Sequence, residues 1–146
     1  MSEPTTVRLT LDLIKVLVDK DMKRLPVLEK DRLGNCFEYA EVFAANNFIA
    51  LKFTDCTVAH GYYYTRSVMG DRGKIAHAWV EFTDFNYIYD PVFATFAEKS
   101  SRYESVYNYS VPEVRANFLK HETHGPWEKL ADYHIIPADV DLPFDF

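Results

Sequence analysis

The 146-residue chain reads as an α+β fold, with helices first and antiparallel strands after them. Two observations carry that reading. Apolar residues recur at helical spacing early on, at Leu11, Ile14, Val18 and Met22 and again at Phe37, Ala40, Ala44 and Phe48. The middle of the chain then alternates with a period of two. His77, Trp79 and Glu81 fall on one side, and Ala76, Ala78, Val80 and Phe82 on the other.

Each element has its own justification. The first helix spans residues 10–24 and ends before Pro26. Val7, Leu9, Leu11 and Leu13 alternate at its start, so an extended beginning is the alternative. Asp31-Arg32-Leu33-Gly34 reads as a connection. A second helix begins at Asn35 or Cys36. Asn35 suits the cap, Glu38 three residues on gives a loose capping-box pattern, and Asn46-Asn47 marks the end. Ala40, Ala44 and Ala45 allow another element to approach it closely. Residues 56–65 form a strand with a bulge at Gly61, residues 69–73 a loop, and residues 74–82 a second strand. Residues 83–86 turn the chain into a return strand at 87–90, closed by Pro91. From Phe93 onward, short helical pieces mix with Tyr-rich segments. A last strand lies at 133–137, ahead of an acidic tail.

Composition bounds the function. Hydrophobic residues make up 48% and charged residues 26%, the balance of a folded globular domain rather than a disordered one. A chain of this length buries roughly 68–70% of its unfolded surface, so one domain over residues 1–146 is expected without disulfides or metal. The net charge of −6 argues against nucleic acid and anionic membranes as partners, since both select clustered Lys and Arg. No apolar run approaches the roughly 18 residues of a membrane span, and Met-Ser-Glu-Pro-Thr-Thr lacks the features of a signal peptide. The expected location is the cytoplasm, where Cys36 and Cys56 are expected as free thiols.

One constellation bears chemistry. A thiol is nucleophilic as thiolate, and a helix N-terminus stabilises that charge and offers N–H groups to an oxyanion. Cys36 stands in the first turn of the second helix. His77, on a strand, is the candidate base, and Asp90 the candidate orienter of its ring. If Asp84 and Phe85 form a two-residue loop, Asp90 falls opposite residue 79 and diagonal to His77 on the same face. A three-residue loop shifts that register by one. Trp79, on the face of His77, is expected to wall the ring from water, and Glu81 to be solvated or ion-paired. Taken singly, each residue has a plainer reading. Cys36 could be a small buried side chain, His77 a satisfied strand histidine, and Asp90 a strand end before Pro91. Their joint order is what the plainer readings leave unexplained.

Gly34-Asn35-Cys36, His77-Ala78-Trp79-Val80-Glu81 and Tyr89-Asp90-Pro91, taken in order, resemble the transglutaminase-like cysteine peptidase superfamily over residues 31–93. The resemblance implies a papain-like core, with a cysteine-bearing helix packed on an antiparallel sheet. It implies Cys36 as nucleophile, His77 as general base and acid, and Asp90 as orienter. Asn35 and Trp79 become substrate-binding candidates. Superfamily members cleave, deamidate or cross-link amides, and arylamine acetyltransferases are similar in triad and core. A peptide or protein amide, or a small acyl compound, is therefore the implied substrate. No cofactor is implied, although the large animal cross-linking enzymes use calcium. Two features depart from the pattern. The glycine and small apolar strand that usually follow the cysteine helix are replaced by Asn46-Asn47-Phe48-Ile49-Ala50. The chain also contains no glutamine to serve as oxyanion donor, which leaves the backbone N–H of Cys36 with Asn35 or a tyrosine hydroxyl. These departures frame the alternative, an inactive relative acting as a protein-binding module or inhibitor.

The remaining signals read as structure. Cys56 begins a strand with no activating setting. The Tyr-rich stretches, Tyr62 to Tyr64 and Tyr103 to Tyr109, read as packing rather than as a groove. His121-Glu122-Thr123-His124 has the wrong spacing for a zinc-protease helix, and Gly125-Pro126 interrupts it, so no metal site is expected.

Overall fold

A computed structural model describes residues 10–51, 55–66 and 70–144. The alternation at Val7 and Leu9, the N-terminal hexapeptide and Met69 lie outside the described residues. The architecture is mixed α+β, with one antiparallel sheet and helices packed on it.

Helix α1 (Leu11–Met22) starts where Thr10 Oγ1 accepts the N–H of Leu13 at 3.3 Å, and it buries Ile14 and Val18. The segment expected to be a plain connection contains a single helical turn, α2 (Glu29–Arg32), and Gly34 follows at φ +89. That left-handed conformation favours glycine and turns the chain into α3 (Cys36–Asn46). Asn35 precedes α3 but its side chain makes no capping hydrogen bond, so the expected capping box is not formed there. Its backbone, at φ −113 and ψ 19, lies outside the extended region that caps favour. A short turn, α4 (Phe48–Leu51), follows.

The sheet order is β4-β3-β2-β1-β5, with β1 Cys56–Arg66, β2 Arg72–Phe82, β3 Tyr87–Asp90, β4 Thr95–Glu98 and β5 Tyr103–Tyr109. A short β6 (Tyr133–Ile135) pairs with the outer end of β2. The β2–β3 turn holds four residues rather than two. A 3-10 turn at Thr83–Phe85 is followed by Asn86 in the left-handed region. Both lengths are even, so the register is the one a two-residue loop gives, and Val80 pairs with Tyr89.

The bulge expected at Gly61 is present as a slip of the β1–β5 ladder between His60 and Gly61. The extra residue is Val106, because His60 pairs with Tyr107 and Gly61 with Ser105. Glycine is needed here. A Cβ at position 61 would lie 2.0 Å from the backbone oxygen of Glu104. The slip also turns β5 over, so Tyr103 and Ser105 share one sheet face while Tyr107 and Tyr109 share the other.

One face packs under the helices. Val58, Ala78, Val80, Phe82 and Tyr89 meet Ile14, Val18, Ala40, Phe43, Ala44 and Val114. The opposite face carries Ala59, Trp79, Ile88 and Tyr103. That second face is buried because the sheet curls. Strands β4 and β5 are opposite edges, yet only residues 99–102 link them. A flat sheet would separate them by four strand spacings, roughly 19 Å. The link spans at most about 18 Å when extended, and it is shortened by a turn in which Tyr103 N–H donates to Ser100 O at 3.1 Å.

Beyond β5 the sequence-level picture of short helical pieces resolves into one helix, α5 (Val111–His121). It opens with a reciprocal capping box: Ser110 Oγ accepts from Glu113 N–H at 3.3 Å, and Glu113 Oε1 accepts from Ser110 N–H at 3.0 Å. No helix among the described residues is long and apolar enough to cross a membrane.

Candidate active site

Three separate elements bring Cys36, His77 and Asp90 together. Cys36 is the first residue of α3, His77 lies mid-β2, and Asp90 ends β3. His77 Nε2–H donates to Asp90 Oδ2 at 2.8 Å. Cys36 lies close enough to the same ring to add to the upward push on its pKa. With Nε2 engaged by Asp90, Nδ1 is the nitrogen available to the sulfur.

Asp90 is fully buried and its carboxylate is saturated. Oδ1 accepts the backbone N–H groups of Val92 at 3.0 Å and Phe93 at 3.3 Å. Oδ2 accepts the Tyr103 hydroxyl at 2.8 Å as well as His77. A carboxylate so held cannot turn away from the imidazole. Burial alone would push His77 down. The charge and hydrogen bond of Asp90, joined by Cys36, outweigh burial and push His77 up to about 9.

The imidazole is walled by aromatic rings. Trp79 stacks on it with centroids 6.0 Å apart, and Phe93 and Tyr63 lie at 5.1 and 5.7 Å. Trp79 is fully buried and donates its indole N–H to Glu81 Oε1 at 3.0 Å. This is the walling position expected of Trp79. A side chain buried to this degree offers no open surface to a ligand, so the structure lends no support to a substrate-binding role for it. Glu81 is ion-paired with Lys99 at 2.8 Å.

Arg32 fixes the spacing of the two halves of the site. Its buried guanidinium donates to Val92 O at 2.9 Å, Pro26 O at 2.9 Å and Val27 O at 2.8 Å. The stretch leading into Cys36 is thus tied to the turn that follows Asp90. Asn35 is half-buried beside Cys36 with its side-chain amide unused by the helix. Cys36 itself is 8% exposed.

Two residues of this site escape sequence reasoning. Tyr103 and Arg32 belong to segments read as packing and as a connection, and their partners are distant in sequence. Burial pushes the thiol of the other cysteine, Cys56, up to about 12. No group of three or more His, Cys, Asp or Glu side chains able to hold a metal occurs among the described residues. His124 instead meets Glu41 on α3, with Nδ1 and Oε2 3.0 Å apart. A groove of about 930 Å³ lies at the far end of α3, between α4 and α5, and none of the three site residues lines it. Comparison with protein-family models, with curated proteins and with solved structures finds no match to this chain.

Proposed function

We propose that this chain is a cysteine-dependent enzyme of the transglutaminase-like kind, acting on an amide, peptide or related acyl bond. The supporting observation is the convergence of Cys36 and Asp90 on the His77 ring, with Asp90 Oδ2 2.8 Å from Nε2 and Cys36 close enough to push the ring's pKa up. Those residues also stand in that superfamily's chain order. In this reading His77 takes the proton of the Cys36 thiol, and Asp90 holds the imidazolium that results. The sulfur attacks the carbonyl carbon, a C–S bond forms, and the carbonyl electron pair moves to oxygen. The candidate donors to that oxyanion are the Cys36 backbone N–H at the start of α3 and the Asn35 amide. The C–N bond then breaks and His77 gives its proton to the leaving amine. Water or a second amine attacks the thioester, His77 takes the proton released, and Cys36 departs as thiolate. Hydrolysis, deamidation and transfer differ only in leaving group and acceptor.

The test uses p-nitrophenyl acetate at pH 7, with mass spectrometry to locate the acetyl group. The expected result is a burst of p-nitrophenol matched by one acetyl group on Cys36, with Cys56 unmodified. Cys36→Ala is expected to keep the fold and lose the burst. Modification of Cys36 no faster than of Cys56 would overturn the enzyme reading in favour of an inactive, partner-binding domain.

A further inference from the structure

We propose that Tyr103 is a positioning residue for the Asp90–His77 pair, holding the carboxylate from the opposite edge of the curled sheet. The inference rests on the enzyme reading above and extends it to a residue outside the three motifs.

Among the described residues, the side chains that hydrogen-bond Asp90 are His77 and Tyr103, and both reach the same oxygen, Oδ2, at 2.8 Å. The carboxylate torsion is set at Oδ1 by two backbone N–H groups. The phenol then fixes the remaining freedom by occupying one lone pair of Oδ2 and leaving the other for the imidazole. Tyr103 is well placed for this. It is 7% exposed, its ring packs edge-on against Trp79 at 5.0 Å and against Tyr63 at 5.0 Å, and the β5 bulge turns it onto the face of His77. A tyrosine filling space alone would have no need to deliver its hydroxyl to a carboxylate already holding three other partners.

The donated bond has a definite electrostatic consequence. A hydrogen bond to the charged form of Asp90 draws negative charge toward Tyr103 and moderates the pull on the imidazolium. Removing the hydroxyl is expected to raise the titration of His77 and to loosen the alignment of its ring.

The experiment compares Tyr103→Phe with Tyr89→Phe. Tyr89 also donates to a buried carboxylate, Asp21 Oδ2 at 2.5 Å, but on the helix face. Both variants delete the same group from the same kind of bond. His77 is followed by NMR of its ring protons against pH, and Cys36 acylation by the p-nitrophenyl acetate burst. In Tyr103→Phe the His77 titration is expected to rise by about half a unit to one unit, with the acylation rate falling about tenfold. Tyr89→Phe is expected to move neither. If Tyr103→Phe does not fold, 3-fluorotyrosine placed at position 103 keeps the bond and strengthens the donor, and His77 is expected to move down. A His77 titration unmoved by either change overturns the role of Tyr103 alone. A wild-type chain that fails to acylate at Cys36 overturns the enzyme reading on which it rests.

Discussion

His60 and His77 sit on adjacent strands, one step out of register, since His60 pairs with Ala78 and His77 with Gly61. Both are buried, at 1% and 2% exposure, yet they titrate in opposite directions. His60 faces the helices, enclosed by Phe37, Tyr109 and Trp127, and neither ring nitrogen has a hydrogen-bond partner among the described residues. Burial pushes it down to about 4. His77 faces the inner side of the curled sheet, where Asp90 pushes it up to about 9. The difference teaches that burial does not decide a histidine's charge; the partner does. Strand β5 supplies both surroundings, because the slip at Val106 sends Tyr103 toward Asp90 and Tyr109 toward His60.

The strongest way to break this contrast is Asp90→Asn. Without the carboxylate, burial should govern His77 as it governs His60, and its titration should fall below the ordinary ~6.5. Cys36 acylation should drop by about 10²- to 10⁴-fold, the scale seen when a triad orienter is neutralised. NMR titration and burst kinetics read the two effects separately. A His77 that stayed protonated at pH 7 would show that Asp90 is not the cause.

Next comes Gly61→Ala, which attacks the bulge that divides the two surroundings. Its Cβ would meet a backbone oxygen, which cannot rotate away. A loss of more than about 3 kcal/mol is expected in urea unfolding, with both histidine titrations disturbed.

The contrast also fixes how stability varies with pH. The folded value of His60 lies below the unfolded ~6.5, so its contribution is intact above that pH and falls away as pH drops from 6.5 toward 4. The loss amounts to about 3 kcal/mol. The folded value of His77 lies above the unfolded one, so its contribution is intact below pH 6.5 and is lost as pH rises through about 9. His60→Phe is expected to flatten the acid limb of urea-unfolding stability and leave the alkaline limb in place. An unchanged acid limb would assign the acid loss to other groups.

The smallest effect sharpens the contrast by sparing it. Ser110→Ala removes the α5 capping box and should cost about 1 kcal/mol. Neither histidine titration nor Cys36 acylation should respond.

Much of the site's frame was legible because it is local. Strand β3 followed from alternation; the register that carries Asp90 was open to the length of the turn, and it is the one an even-numbered turn gives, with four residues rather than two. A glycine inside a strand signalled the irregularity at Gly61, but the extra residue, Val106, belongs to β5 rather than to the glycine's own strand. Asn35 shows where local signals fail. A good capping residue stands at the cap position, yet its backbone conformation keeps it from capping. Tyr103, Arg32 and strands β4 and β5 were not legible as parts of the site. Their meaning depends on the curl of the sheet and on carbonyls and carboxylates contributed from far along the chain. No periodicity encodes such partners.

The guanidinium of Arg32 joins three carbonyls from two distant stretches, at Pro26, Val27 and Val92. An arginine side chain stays cationic throughout the range in which proteins remain folded. This clamp therefore acts as a tie-rod indifferent to acidity, in a molecule where His60 and His77 answer to it in opposite senses. Changes of medium can alter the charge on His77 while the frame that spaces it from its neighbours stays the same length.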